Sequence, residues 1–396
     1  NTAVGNRCMD SNTTGTDNVA VGNLALEANT TGTQNVSIGA NALDNNTTAS
    51  NNTAVGYGAL DANTTGTSNT AVGAHALDAI TTAGQCTAIG RNALTSNTAQ
   101  KNTAVGSSCG QNNTSGENNT FVGYTAGYSN TTANSNSAFG TNALQGNTTG
   151  AGNVAIGKDC MFSNTTASNN TAAGSNALGS NTTGTQNVAV GSNSMDANTS
   201  GSYNVAFGND ALGANTTGQS NSAFGNGAGL SITEGQKNTC VGQGAGNGVT
   251  TGDNNLFLGK NAGQPSSPSG EITTENNQVC IGDNSITNAF IKVAFTVTSD
   301  ERDKIEDGVV SHGLDFVNQL KPKSFWFRKN RDSDEKHGEK RYGFFAQDIL
   351  KLEGIDSVII DNNDLDNLKF KGDQLIPVLV NAIKELSAKV TALEKG

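Results

Sequence analysis

A 17-residue unit, N-T-A-V-G-x-N-A-L-D-x-N-T-T-G-T-x, recurs from Asn1 onward and limits what residues 1 to about 284 can become. Sixteen copies begin at Asn1, Asn18, Asn35, Asn52, Asn69, Cys86, Asn102 and on to Asn255, and the copy from Cys86 to Lys101 is one residue short. A unit this small cannot bury an apolar face alone, so successive units must stack as coils of a solenoid, each pairing its strand edges with the next. At an inter-strand spacing of about 4.8 Å the stack is roughly 75 Å long. Each unit carries two short apolar clusters, such as Val19-Ala20-Val21 and Leu24-Ala25-Leu26, which predict two short strands and a turn per coil. Every copy has glycine at its fifth position, from Gly5 to Gly259, which predicts a backbone conformation or a close approach that a side chain would forbid.

The apolar slots hold mostly Ala, Val and Leu, little volume for a freestanding β-helix, so the rod is expected to be one of three bundled about a common axis. The repeat loosens at its end, where the copy at Asn255 carries the insertion Gln264–Gly270 and Val279-Cys280-Ile281-Gly282 echoes the unit once more. Residues 285–298 form a connecting segment, with FIKVAFTVT from Phe290 to Thr298 predicted as a strand. The N-x-A-V-G pattern resembles the head repeats of trimeric bacterial adhesins and the shafts of some viral tail fibres.

Charge divides the chain at the same place. Residues 1–298 hold 7 Lys+Arg against 15 Asp+Glu (net −8), whereas residues 299–396 hold 16 against 19 (net −3). An acidic chain without a basic stripe excludes a nucleic-acid reader. No run of about 18 apolar residues is present, so no membrane-spanning segment is expected. The chain opens at Asn1 inside a repeat and without Met, which predicts that further chain precedes it.

Beyond Ser299 the vocabulary changes. A helix is expected over 313–319, ended by Pro322, then a strand over Ser324–Arg328, a charged loop from Lys329 to Lys340, a second strand over Arg341–Phe345 and a helical start at Ala346–Leu350. A final helix from about Asp373 to Lys395 places Ile376, Ile383 and Val390 at one heptad position and Leu379, Leu386 and Leu393 at the other, the seam of a coiled coil. Taken alone that seam favours two strands; packing on its own domain is the competing reading, and the threefold rod decides for a trimer.

Four motifs, S-D-E-R-D-K, L-K-P-K-S-F-W-F, Y-G-F-F-A-Q-D-I and L-I-P-V-L-V-N-A-I-K-E-L, occur in order over the last 98 residues. Together they resemble the intramolecular chaperone domain of endosialidase-type phage tailspikes. The resemblance implies a small α+β domain that trimerises the fibre before it and then releases itself by cutting between Thr298 and Ser299. It places the nucleophilic serine at Ser299 and its lysine partner at Lys304. A serine hydroxyl needs a base, and lysine serves as one only when burial or a neighbouring cation lowers its pKa. Asp300, Arg302 and Gln347 lie within the same motifs and are candidates to support the pair. Where relatives carry a histidine two residues before the glycine of G-F-x-A-Q, this chain has Arg341. The competing reading makes Ser299 a plain helix N-cap with acidic residues in the first turn.

The remaining features point away from other chemistry. Cys8, Cys109 and Cys160 fall at the eighth repeat position, usually Ala, and read as small buried residues, with Cys109 and Cys160 too far apart to bridge. The three histidines, His75, His312 and His337, lack ligand spacing, so neither metal nor cofactor is expected. Gly242-Gln243-Gly244-Ala245-Gly246 is a solenoid turn in repeat register rather than a phosphate loop. The N-T-T triplets fit either glycan acceptors or stacked Asn and Thr ladders, and Asp44, Asp61 and Asp78 are expected to face solvent.

The sequence therefore predicts a mainly β protein: a 17-residue-repeat β-solenoid (β-roll) shaft over 1–284, a connecting strand over 285–298, and a self-cleaving chaperone domain over 299–396 that ends in a coiled-coil helix. Its expected role is a trimeric tail fibre or spike of a virion, with itself as partner and a host surface glycan or receptor as a further one. The alternative is an extracellular cell-surface adhesin that keeps the C-terminal domain as a trimerisation cap.

Overall fold

The computed structural model describes residues 1–290, 292, 299–328, 331, 333–354, 357–363, 365–366 and 368–395. The chain divides into two compact units, Asn1–Asp283 and Asn284–Gly396. The strand expected from Phe290 to Thr298 lies almost wholly outside the described residues.

The first unit is a solenoid of seventeen three-residue strands, from β1 (Thr2–Val4) to β17 (Val279–Ile281), each paired in parallel with the next along the chain. Register is strict: Ala3 opposes Ala20, and Ala155 opposes Ala172. Because side chains alternate across a strand, the middle residue points inward and its neighbours outward. Ala20, Ala54, Ala155 and Ala206 are accordingly fully buried.

One strand per coil is observed rather than two. Leu24 and Leu26 take φ of +60° and +56°, and the segment after each fifth-position glycine is a turn. The adjacent residues Ala25 and Leu26 are both buried, which a flat strand cannot achieve. A left-handed leucine costs about 1–2 kcal/mol, and each is offset by a bond to the next coil, such as Leu26 N–H to Ala42 O at 3.0 Å. The apolar clustering was a correct signal of burial and a wrong signal of conformation.

The fifth-position glycines meet both conditions that the sequence suggests. At Gly157 φ is +131°, and a Cβ there would sit 2.5 Å from the Gly174 carbonyl oxygen of the next coil.

A single chain closes its own thin core, because much of the interior is polar. Asn18 Oδ1 accepts the backbone N–H of Asn35 (2.9 Å), while its Nδ2 donates to Gly32 O (2.8 Å), tying one coil to itself and to its neighbour. A second column links Asn29 Nδ2 to Asn12 Oδ1 (2.8 Å) and Asn46 Nδ2 to Asn29 Oδ1 (2.9 Å). Satisfied buried amides of this kind specify coil register, since a slipped coil would leave them unpaired. The column breaks where Ile80 and Ile232 take the asparagine's place. Asn63 Oδ1 and Asn215 Oδ1, each one coil earlier, are buried without a hydrogen-bond partner.

The ladders decide between the two readings of N-T-T. Asn29, Asn46, Asn130 and Asn181 are fully buried with Nδ2 already donating, so in the folded shaft the glycan-accepting atom is out of reach. The first threonine of each triplet completes a third column, as in Thr47 Oγ1 to Thr64 O at 3.1 Å. Of the cysteines, Cys109 and Cys160 are buried as expected, whereas Cys8 in the first coil is half-buried.

Asp44, Asp61 and Asp78 are half-buried rather than solvent-facing. Stacking one carboxylate per coil removes water from each and sets like charges beside one another. Burial, then the charges of Glu27 and Asp61, push Asp44 up to about 6. Burial and Asp78 raise Asp61 in the same direction. A carboxyl whose folded pKa lies above its unfolded value favours the fold while protonated, and that contribution is lost as pH rises through the folded pKa. Raising the pH from about 5 to about 8 should therefore lower the unfolding temperature of the native chain more than that of Asp44→Asn. Parallel melting curves over that range would check it.

The second unit is a small α+β domain. Helix α1 (Leu314–Gln319) begins at Gly313, β18 (Lys323–Arg328) and β19 (Lys336–Gly343) form an antiparallel hairpin, and α2 (Ala346–Glu353) follows. The second strand begins five residues before its expected start and absorbs the end of the supposed charged loop. It is an exposed ribbon strand whose Lys, Glu and Arg side chains reach water, so its charge does not mark a loop. A short ladder of β20 (Ile360–Asp361) and β21 (Lys369–Phe370) precedes the long helix α3 (Leu375–Glu394). Pro377 sits in the first turn of α3, where a missing N–H costs nothing. Phe316, Ile349, Ile359, Ile360, Leu375 and Val378 make the core.

Candidate functional site

Ser299 and Lys304 flank a single 3-10 turn, Glu301–Asp303. The turn is capped by Asp300, whose carboxylate accepts the Arg302 N–H at 2.9 Å. Ser299 is therefore not the cap that the plainer reading makes it. Its Oγ instead accepts a hydrogen bond from Lys304 Nζ at 2.5 Å within the same chain. The turn solves a spacing problem: five residues apart on a regular helix would not put the two side chains on one face.

Asp300 and Arg302 support the turn rather than touch the pair. The Arg302 guanidinium lies 3.0 Å (Nε) from one Asp300 oxygen and 2.5 Å (Nη2) from the other, and these bonds hold the Asp300 carboxyl below its ordinary range. Gln347, in the first turn of α2, is exposed and forms no hydrogen bond with Ser299 or Lys304 among the described residues. Ser299 and Lys304 are themselves exposed. Thr298, the acyl side of the expected cut, lies outside the described residues.

Residues 299–358 match the family model described as chaperone of endosialidase. The match begins at Ser299 itself and covers the hairpin and α2, so a chaperone-type domain follows a β-solenoid of 17-residue repeats. No curated protein and no solved structure matches the chain. Within the matched region, Arg341 lies on the second hairpin strand. Its guanidinium donates to Thr287 O at 3.2 Å and lies 5.5 Å from the Phe327 ring, holding the segment upstream of Ser299 to the hairpin.

Other positioning groups carry no sequence signature of their own. Glu385 of α3 accepts the Leu314 N–H at 2.8 Å, and Asn381, one turn earlier, donates to His312 O at 2.9 Å. These two residues fasten the chain downstream of Lys304 to α3. A Cβ at Gly313 would fall 2.0 Å from a Glu385 oxygen, so a side chain there would displace the carboxylate that accepts the Leu314 N–H. Glu353, at the end of α2, gathers the N–H groups of Val358, Ile359 and Ile360 at 3.0, 2.8 and 3.0 Å.

Helix α3 has two apolar faces. Leu375, Val378 and Ala382 are buried in the domain. All six heptad residues, Ile376, Leu379, Ile383, Leu386, Val390 and Leu393, are exposed, between 38% and 81%. Packing on its own domain thus accounts for one face of this helix and leaves the heptad face uncovered in the single chain. Beyond Ala382 no residue of α3 is buried. A lone segment of a dozen residues is only marginally helical in water. No helix among the described residues is long and apolar enough to cross a membrane.

Proposed function

We propose that the chain is the shaft of a trimeric viral tail fibre or spike, carried in the virion, whose C-terminal intramolecular chaperone drives trimer assembly and is then released by cleavage between Thr298 and Ser299. The observation that carries this reading is the Lys304 to Ser299 hydrogen bond at the first residue of the family match, in a chain whose preceding unit is the repeat solenoid.

The chemistry balances within the chain. Lys304, as the neutral amine, takes the proton of Ser299 Oγ while that oxygen attacks the Thr298 carbonyl carbon. The resulting lysine ammonium returns the proton to the Ser299 nitrogen as the C–N bond breaks. An ester then joins Thr298 to Ser299 Oγ, and water opens it to a Thr298 carboxylate and a free Ser299 amino terminus.

Timing follows from exposure. A lysine becomes a base through burial or a neighbouring cation, and Lys304 is exposed in the single chain. In this reading packing of three domains supplies the burial, so the cut waits for assembly. Asn381 and Glu385 connect the two events, since they anchor residues 312 and 314 to the seam helix itself.

The double variant Ile383→Asp, Leu386→Asp tests that coupling. These seam residues are 65% and 49% exposed in the single chain, so the domain's own fold should survive. Light scattering should give a trimer for the parent chain and a monomer for the variant, and the variant should stay uncut. A monomeric variant that still cleaves, or a parent chain of dimer mass, would overturn the assembly step.

A further inference from the structure

Three hydrogen-bonded columns tie coil to coil outside the strand ladder, and all three are interrupted around the coils that begin at Asn69 and Cys86. Ile80 occupies the twelfth position, so Asn97 has no amide oxygen to reach in the coil before it, and the buried Asn63 Oδ1 has no partner. Cys86 occupies the first position. Its thiol replaces the asparagine's donor, bonding Ala99 O at 3.2 Å, but a thiol offers no amide oxygen to the Asn102 N–H. One coil later that bond is made again, from Asn119 N–H to Asn102 Oδ1 at 2.9 Å.

The third column consists of two bonds, from the N–H and the Oγ1 of each first threonine to one carbonyl of the next coil. Thr64 gives both to Thr81 O, and Thr98 gives both to Thr114 O. Among the described residues, Thr81 alone of these threonines from Thr13 to Thr250 makes neither. The corner 97–101 is one residue shorter than the corner 80–85 that it faces, which puts Thr98 O out of register with Thr81. Ile232 interrupts only the twelfth-position column. Beside it Asn221 Oδ1 still takes the Asn238 N–H at 2.9 Å, and Thr233 N–H still reaches Thr250 O at 2.9 Å.

The strand side of the weakened place is intact. Thr70 opposes Thr87 and Ala71 opposes Ala88 in unbroken register, and Leu77 N–H meets Ala93 O at 3.1 Å. In a solenoid, stability is a sum of coil terms and nearest-neighbour interface terms, so the stack divides where an interface is weakest. Five coils precede the junction and more follow it, each side exceeding the roughly three repeats that hold together alone. We propose that the junction between the coils beginning at Asn69 and Cys86 is a built-in joint, at which the coils before it part from the rest at the Asn-Thr corner and open without unfolding the remainder. The joint gives the shaft a fixed place to yield.

Native-state hydrogen exchange of the full chain, read by mass spectrometry, tests the joint by placing one core truncation on each side of it. Phe121→Ala lies after the joint. The slowest amides of residues 102–283 should then exchange at least about 100-fold faster, while those of residues 1–80 stay within about threefold of the parent. Leu43→Ala, at a fully buried residue before the joint, should do the reverse. The double change Ile80→Asn, Cys86→Asn restores two of the columns, and in the Phe121→Ala chain it should carry part of the loss back across residue 80. Equal acceleration on both sides in either truncated chain, or a folded double variant that transmits none of it, would overturn the joint.

Discussion

Ser299→Ala should leave the chain at its full 396 residues under conditions where the parent separates into pieces of 298 and 98. The change removes one oxygen, the one that would attack Thr298. Losing a nucleophile or its base typically slows such chemistry by 10³-fold or more, enough to hold the chain intact through purification. Lys304→Ala should be nearly as severe. Lys304→Arg should not rescue it, because a guanidinium keeps its charge and cannot take a proton. Neither change touches the helix seam, so light scattering should still give the parent's assembled mass. That separates lost chemistry from lost folding, since an uncut but unassembled variant would say nothing of the serine.

Phe121→Ala should be the most destabilising single change in the shaft, by about 3–5 kcal/mol. Most coils put alanine at the strand centre and leucine in the turn, whereas Phe121 lies in a stretch where glycine replaces that leucine. A Cβ at Gly110 would sit 2.8 Å from the Phe121 ring, and one at Gly127 only 2.5 Å. The ring fills the space of two missing leucines, so truncating it leaves a cavity that the neighbours cannot close. Phe257, between Gly246 and Gly263, repeats the exchange. Denaturant unfolding of the full chain would measure the loss. Restoring leucine at both Gly110 and Gly127 in the Phe121→Ala background should recover most of it by regenerating the common coil. If the loss stays below about 1 kcal/mol, this account of the core is wrong.

Much of the architecture was legible because a repeat multiplies weak signals. One V-A-V-G segment says little; sixteen at a fixed interval require stacked coils, and an invariant glycine announces a left-handed backbone pressed on its neighbour. The turn after it is not legible in the sequence because leucine rarely accepts positive φ, and only the inter-coil bonds of Leu26 and its equivalents make that conformation tolerable. The thin core looked inadequate because only apolar volume was counted. The rest of its order comes from Asn18, Asn29 and their repeats, whose burial cannot be told from surface polarity until both partners of each bond are placed.

At the site, motif order located Ser299 and Lys304, but not the means of joining them. That depends on the Asp300-capped turn, a three-residue feature with no periodicity to announce it. Arg341 bonds to Thr287, a contact that no motif announces. Glu385 and Asn381 carry no signal in the sequence because they occupy the polar side of a heptad helix, where charge ordinarily means solvent.

The most direct test is the intact mass of the purified parent chain after assembly, with the amino terminus of the smaller product sequenced. A shaft ending at Thr298 and a second species beginning Ser-Asp-Glu-Arg are expected. A single unbroken mass in a fully assembled trimer, or a break at any other bond, would contradict the account.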